Sequence, residues 1–208
     1  MPDVMVDKSC RDFAALLAAK ESVPGGGGAA AYVGALGAAL CSMVGNFTTG
    51  KKAYAQVEED IQDLLQRAYA VQERLLSLVD EDAHAFEPLS RAYGIPKDDP
   101  SRVSVLEEAT KGACAPPMEM MRQICRSIDL LEEMGAKGSK MLLSDVGCGA
   151  LLARAALEAA SMNVFVNTKT LQDRAHALML EAECDAMLAS YGPKAEAIAA
   201  DVMARIRG

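Results

Sequence analysis

The sequence predicts an all-helical protein, a multihelical bundle with long helices, and three observations carry that prediction. Ala, Leu and Met dominate a 208-residue chain that is 51% hydrophobic, 4% aromatic and without Trp. These are good helix formers, and the residues that strands favour are scarce. Apolar residues recur at helical spacing over long stretches, with no alternating strand pattern and no repeat of solenoid length. No Ser/Pro-rich or low-complexity linker divides the chain, so a single domain is expected over residues 1–208.

Each element follows in order. Ser9 is placed to cap a first helix that reaches about Lys20. The run Ser22-Val-Pro-Gly-Gly-Gly-Gly28 breaks it, and a second helix is expected over residues 27–47. Its two sides differ. Tyr32, Val33, Leu36, Leu40, Met43 and Phe47 share one, and Gly27, Ala30, Gly34, Ala38, Cys41 and Gly45 share the other. Small side chains let a neighbouring backbone or a flat ligand come close, so the second side is expected to pack tightly in the core or at a dimer interface. A polar break at residues 48–52 precedes a long helix over residues 53–86, whose end Pro88 should disturb. Its apolar stripe is Val57, Ile61, Leu64, Leu65, Ala68, Val71, Leu75, Leu78, Val79 and Phe86.

Asp99-Pro100 reads as an N-cap followed by proline at the first helical position, opening a short helix to about Lys111. Pro116 and Pro117 should break the chain before a helix over residues 118–134. Ser144 is placed to cap a helix ending near Asn167, with Asp145 favoured in its first turn by the macrodipole. Residues 171–190 form a further helix, Gly192-Pro193 a break, and residues 194–206 the last helix.

Composition excludes several function classes. A formal charge of −8 with no dense basic stripe argues against nucleic-acid binding. Six cysteines are widely spaced with no CxxC, which reads as reduced thiols of a soluble cytoplasmic protein. Residues 1–20 lack the apolar region of a signal peptide. Residues 22–50 carry no charge, yet they are mostly Gly and Ala, so a buried helix is expected rather than a membrane span. Two distant histidines, His84 and His176, make a zinc site improbable, and no metal is expected. Gly147-Cys-Gly149 lacks the third glycine of a dinucleotide fingerprint, and the glycine run before Ala29 has no following Gly-Lys-Ser/Thr. That run is still a glycine-rich turn entering a helix, which suits a carboxylate or phosphate.

The chemistry concentrates on carboxylates. Asp82 falls inside the apolar stripe of the long helix, beside Leu75, Leu78, Val79 and Phe86. A carboxylate there must be paired, must cap another helix or must be functional, because burying a lone charge is costly. His84 points to the opposite face. On the helix after Ser144, Asp145, Cys148, Gly149, Leu152, Ala156, Ala159, Asn163, Val166 and Asn167 share a side, a polar seam among small residues. Asp145 and Asn163 stand about 27 Å apart along that helix, so within a subunit they cannot touch one reacting atom. A homodimer is expected through the small-residue stripe or this seam.

Ordered motifs carry a family resemblance. Pro24-Gly-Gly-Gly-Gly-Ala-Ala-Ala31, Gly34-Ala-Leu-Gly-Ala-Ala-Leu40, Ser42-Met-Val-Gly45 and Gly50-Lys-Lys-x-Tyr54 resemble the N-terminal signature of the cyclodeaminase/cyclohydrolase family. Glu81-Asp-Ala-x-Ala-Phe86, Ser144-Asp-Val-Gly147, Ala150-Leu-Leu-Ala153 and Asn163-Val-x-Val-Asn167 match later blocks in the same order. One departure is Gly28, where the family commonly has Ser. The resemblance implies an all-helical homodimer with a tetrahydrofolate one-carbon adduct as substrate and no metal or redox cofactor. It implies hydrolysis of 5,10-methenyltetrahydrofolate to 10-formyltetrahydrofolate, or cyclodeamination of 5-formiminotetrahydrofolate with release of ammonia. A non-catalytic folate-binding helical dimer is the rival reading. The expected catalytic residues are Asp82, for proton transfer, and Asp145, for amidinium stabilisation or pterin contact. Expected substrate contacts are Gly26, Gly27, Gly28, Lys51, Lys52, Tyr54, Ser144, Asn163 and Asn167.

Overall fold

The computed structural model describes residues 4–208. All described regular structure is helical: α1 (Cys10–Leu17), α2 (Gly26–Asn46), α3 (Glu58–Tyr93), α4 (Arg102–Lys137), α5 (Leu143–Thr168) and α6 (Arg174–Arg207). Short 3-10 turns at Met5–Asp7, Lys52–Val57 and Lys140–Leu142 precede α1, α3 and α5. The α2 helix is the centre of the bundle and packs against α3, α4 and α5, while α6 covers α4 and α5.

The apolar stripe of α3 is the core face. Ile61, Leu64, Leu75, Leu78 and Val79 are fully buried against α2 and α4. Truncating any of the leucines to Ala should cost about 2–5 kcal/mol. The small-residue side of α2 faces inward, with Ala30, Gly34, Ala38, Cys41 and Gly45 all buried. Where α2 crosses α5, a Cβ on Gly37 would lie 3.1 Å from the Gly149 carbonyl, and one on Gly149 would lie 3.2 Å from the Gly37 carbonyl. Glycine at both positions lets the two backbones meet. Gly26 also lies near Asn163, so α2 and α5 run antiparallel. The small stripe is therefore used up inside the subunit and is not available as an interface. The larger side of α2 is left outside, with Leu36, Met43 and Phe47 exposed, and α5 likewise exposes Leu151, Met162 and Val166. By length and apolarity α2 and the segment Lys140–Thr168 could each cross a membrane, and roughly half of each is buried in the bundle.

Several expected boundaries are corrected. Ser9 does cap α1, accepting the Asp12 N–H at 3.1 Å, but that helix ends at Leu17. The α4 helix begins at Arg102, not at Pro100, because Asp99 turns back to accept the N–H and hydroxyl of Ser101. Ser144 caps nothing; α5 starts one residue earlier, at Leu143, and has no side-chain cap. The prolines were expected to end helices, and they do not. Pro88 lies inside α3, Pro116 and Pro117 inside α4, and Pro193 inside α6. A mid-helix proline costs about 3 kcal/mol relative to Ala. Here burial along helices of 34–36 residues outweighs that cost.

Candidate active site

The N-terminus of α2 meets the middle of α3, and Asp82 stands at that junction. The Gly28 N–H donates to its carboxylate. Gly25, the N-cap residue of α2, offers no capping side chain, so Asp82 satisfies an orphan first-turn donor from a neighbouring helix. Burial pushes the Asp82 carboxyl up to about 6, with the Gly28 hydrogen bond acting against it. Desolvation wins because its neighbours Leu78, Val79 and Ala83 are buried and apolar. A carboxyl that titrates near 6 exchanges protons readily around neutral pH.

A cleft of about 240 Å³ opens beside this carboxyl. Gly26 and Gly27 form its floor, Phe86 and Val166 its apolar walls, and Asn163 and Asn167 line it from α5. Both amides are tied by their nitrogens. Asn163 Nδ2 donates to the Ala159 carbonyl at 2.9 Å, and Asn167 Nδ2 donates to the Ala113 carbonyl at 3.1 Å. Their oxygens are left as acceptors in the cleft alongside Asp82, and Ser22 adds a hydroxyl to its lining. It suits a donor-rich or cationic flat ligand. Gly28 supplies only its N–H, and a Cβ there would meet Pro24 at 3.3 Å.

The structure does not bring the other expected residues into this cleft. Tyr54 lies at the opposite end of α2, where its hydroxyl accepts the Lys140 N–H at 3.1 Å. That bond, then Ser139 and the charges of Lys140 and Lys51, hold the phenol below its ordinary range. Thr48 and Ser139 fix this end, the Ser139 N–H bonding Thr48 Oγ1 at 2.8 Å. Glu58 accepts from the Gly50 N–H at 2.9 Å and anchors the loop that presents the exposed Lys51 and Lys52. Ser144, exposed, and Asp145, half-buried, lie in the first turn of α5 on the same end. The polar seam of α5 is thus split: Asn163 and Asn167 join Asp82, and Asp145 joins the lysine end. Sequence reasoning did not single out Phe86 and Ala113 as site residues. Phe86 was legible as the residue one helical turn after Asp82. Ala113 was not, since it acts through its backbone.

Two other features frame the site. His84 is exposed on the far side of α3. A larger groove of about 570 Å³ between α3 and α4 contains Arg67, Arg74 and Arg126, but Arg67 is paired with Asp63 and Glu133, and Arg74 with Glu81.

Similarity to known proteins agrees with this arrangement. Residues 9–186 match the sequence profile described as formiminotransferase-cyclodeaminase. A methenyltetrahydrofolate cyclohydrolase of Methylorubrum extorquens is 40% identical over 195 residues, covering 91% of this chain and 93% of that protein. The mouse formimidoyltransferase-cyclodeaminase is 34% identical over 173 residues, 81% of this chain, which corresponds to 32% of the mouse protein. The crystal structure of a formiminotetrahydrofolate cyclodeaminase from Thermotoga maritima superposes with a TM-score of 0.82 at 29% identity, covering 94% of this chain and 98% of that one. The all-helical bundle, the glycine turn that receives Asp82 and these likenesses converge: the chain belongs to the formiminotransferase-cyclodeaminase family.

Proposed function

We propose that this chain is a methenyltetrahydrofolate cyclohydrolase, converting 5,10-methenyltetrahydrofolate to 10-formyltetrahydrofolate. The observation that carries the reading is Asp82, a partly desolvated carboxyl set in a cleft with two amide acceptors. The near full-length likeness to a named cyclohydrolase supports it. The substrate presents a cationic amidinium between N5 and N10. Acceptor groups stabilise that cation and orient the pterin, whose ring N–H and amino groups are donors. Asp82, ionised above about 6, takes a proton as water adds to the amidinium carbon. The tetrahedral adduct then collapses. Its C–N5 bond breaks, Asp82 returns the proton to N5, and the hydroxyl proton leaves as the formyl C=O forms on N10. One proton is released overall. Phe86 and Val166 give the cleft its apolar sides. No step calls for a metal or redox cofactor, and a cytoplasmic setting fits the thiol-rich composition.

The partner in this reading is a second copy of the chain. Both α2 and α5 leave apolar residues exposed, and burying them against a second copy about a two-fold axis perpendicular to the helices would set like helices antiparallel. In that arrangement the Lys51, Tyr54 and Asp145 end of one subunit would lie near the Asp82 cleft of its partner. A 240 Å³ cleft holds the pterin head, and the rest of the folate would run along the joint between subunits.

The runner-up is cyclodeamination of 5-formiminotetrahydrofolate, favoured by the likeness to the Thermotoga protein. Both reactions pass through a tetrahedral carbon between N5 and N10, so Asp82 could serve either. Loss of methenyltetrahydrofolate absorbance with purified protein tests the first, and ammonia release from formiminotetrahydrofolate tests the second. Turnover of the formimino substrate alone would reverse the order. Binding without turnover of either would leave a folate-binding dimer.

A further inference from the structure

Four prolines lie inside helices: Pro88, Pro116, Pro117 and Pro193. Each lacks an N–H, so the carbonyl four residues earlier loses its helical donor. Those carbonyls belong to His84, Gly112, Ala113 and Ala189. His84, Gly112 and Ala189 are exposed residues, and water can satisfy them. Ala113 is buried, and a buried carbonyl needs a partner. Its partner is Asn167, whose Nδ2 donates to it at 3.1 Å. Ala113 and Asn167 both line the Asp82 cleft.

We infer that Pro117 is a positioning residue for the substrate, acting through the Ala113 carbonyl on the amide of Asn167. The proline denies that carbonyl its helical donor, and its ring crowds the carbonyl away from the helix ladder. The freed oxygen then holds Asn167 Nδ2. The amide is fixed with its Oδ1 as the remaining acceptor, the orientation that a donor edge of a pterin requires. A residue with an N–H at position 117 would give α4 a better ladder. It would also compete for the Ala113 oxygen and leave the Asn167 amide free to rotate. The choice of ligand rests on the folate reading of the cleft; the linkage itself rests on the hydrogen bond and the missing N–H.

The test is Pro117→Ala, assayed for KM, kcat and thermal stability. One hydrogen bond's worth of orientation predicts a KM about three- to tenfold higher. We expect kcat to stay within about twofold, since Asp82 is untouched, and the melting temperature to hold or rise as the ladder is completed. A merely structural proline would give the reverse pattern, lower stability with KM unchanged. Asn167→Ala should raise KM alone, and the double variant should do no worse than Asn167→Ala. Pro116→Ala, which concerns the exposed Gly112 carbonyl, should leave KM unchanged. Wild-type KM in Pro117→Ala, or additive losses in the double variant, overturns the linkage. Pro117 is buried; if the alanine variant does not fold, Pro117→Val restores the N–H at similar volume and gives the same readout. Exchange of the Asn167 side-chain NH2 protons, followed by NMR without substrate, is the independent arm. It should be slow in the wild type and faster in the Pro117 variant, and unchanged exchange overturns the linkage. A wild-type protein inactive on both folates removes the functional reading alone, and the amide exchange then decides the linkage by itself.

Discussion

Asp82 occupies the space that a side chain on Gly27 would need: a Cβ there would lie 2.6 Å from the Asp82 carboxyl carbon. Real Cβ contacts do not come that close, so the carboxylate and the glycine are matched. The glycine turn is the seat of the proposed proton-transfer group as well as a flexible entry to a helix.

Gly27→Ala is therefore expected to push Asp82 out of the cleft. The clash should cost about 1–3 kcal/mol of stability. Misplacement of the carboxyl should lower kcat by about 10²-fold. Gly26→Ala is the control, because its Cβ would meet Asn163 only at an ordinary 3.5 Å. It should fold as the wild type does. Denaturant melts and steady-state kinetics of both variants check this; a fully active Gly27→Ala would contradict the assigned role of Asp82.

Asp82→Asn should lower kcat by about 10²–10⁴-fold, the usual contribution of a general acid–base group. In the wild type, kcat/KM should fall as pH drops through about 6, where the carboxyl becomes protonated. Stability should move the other way. The folded value is raised from 3.8 to about 6, so the native state holds the proton more tightly than the unfolded chain. Asp82 is thus neutral in effect below about 3.8 and destabilising above about 6, by roughly 3 kcal/mol at most. Asp82→Asn should be more stable than the wild type at pH 8 and equal to it near pH 3.5. Urea titrations at the two pH values measure the difference. His84→Ala should be nearly silent in both assays.

Lys51 and Lys52 should hold the glutamate tail of the folate. They are exposed on an anchored loop against a chain of net charge −8, a local positive patch that attracts carboxylates. Replacing both by Ala should raise KM for a polyglutamylated folate by about tenfold or more, and for the monoglutamate by less. Rising salt should erase the difference. Equal effects on the two substrates would remove the tail-binding role.

The exposed apolar faces of α2 and α5 should be buried between two copies. Light scattering is expected to give twice the 22.0 kDa chain mass. Leu36→Glu with Leu151→Glu should shift it to monomer and abolish activity, since a buried unpaired charge costs several kcal/mol. If the site is shared, mixing inactive Asp82→Asn and Asp145→Asn subunits should restore about a quarter of wild-type activity, through heterodimers with one intact site. No recovery after subunit exchange would mean that Asp82 and Asp145 do not meet in one site across the interface.

The helical class, the core stripe of α3 and the anomaly of Asp82 were all legible in the sequence, because each rests on helical periodicity, a local property. So was the small-residue side of α2, but the sequence did not say which side of that helix meets its own subunit. Packing decided it: Gly37 and Gly149 let two backbones touch, and the larger residues Leu36, Met43 and Phe47 were left outside. The prolines were misread for a related reason. Proline's local cost is fixed, but whether a helix continues through it depends on burial elsewhere along its length, and for Pro117 on Asn167, 50 residues away, reaching the carbonyl it frees. The division of the expected site is the same kind of fact. Sequence placed Asp82, Asp145 and Asn163 on helix faces, and only the antiparallel crossing of α2 and α5 decided that Asn163 joins Asp82 while Asp145 lies at the far end.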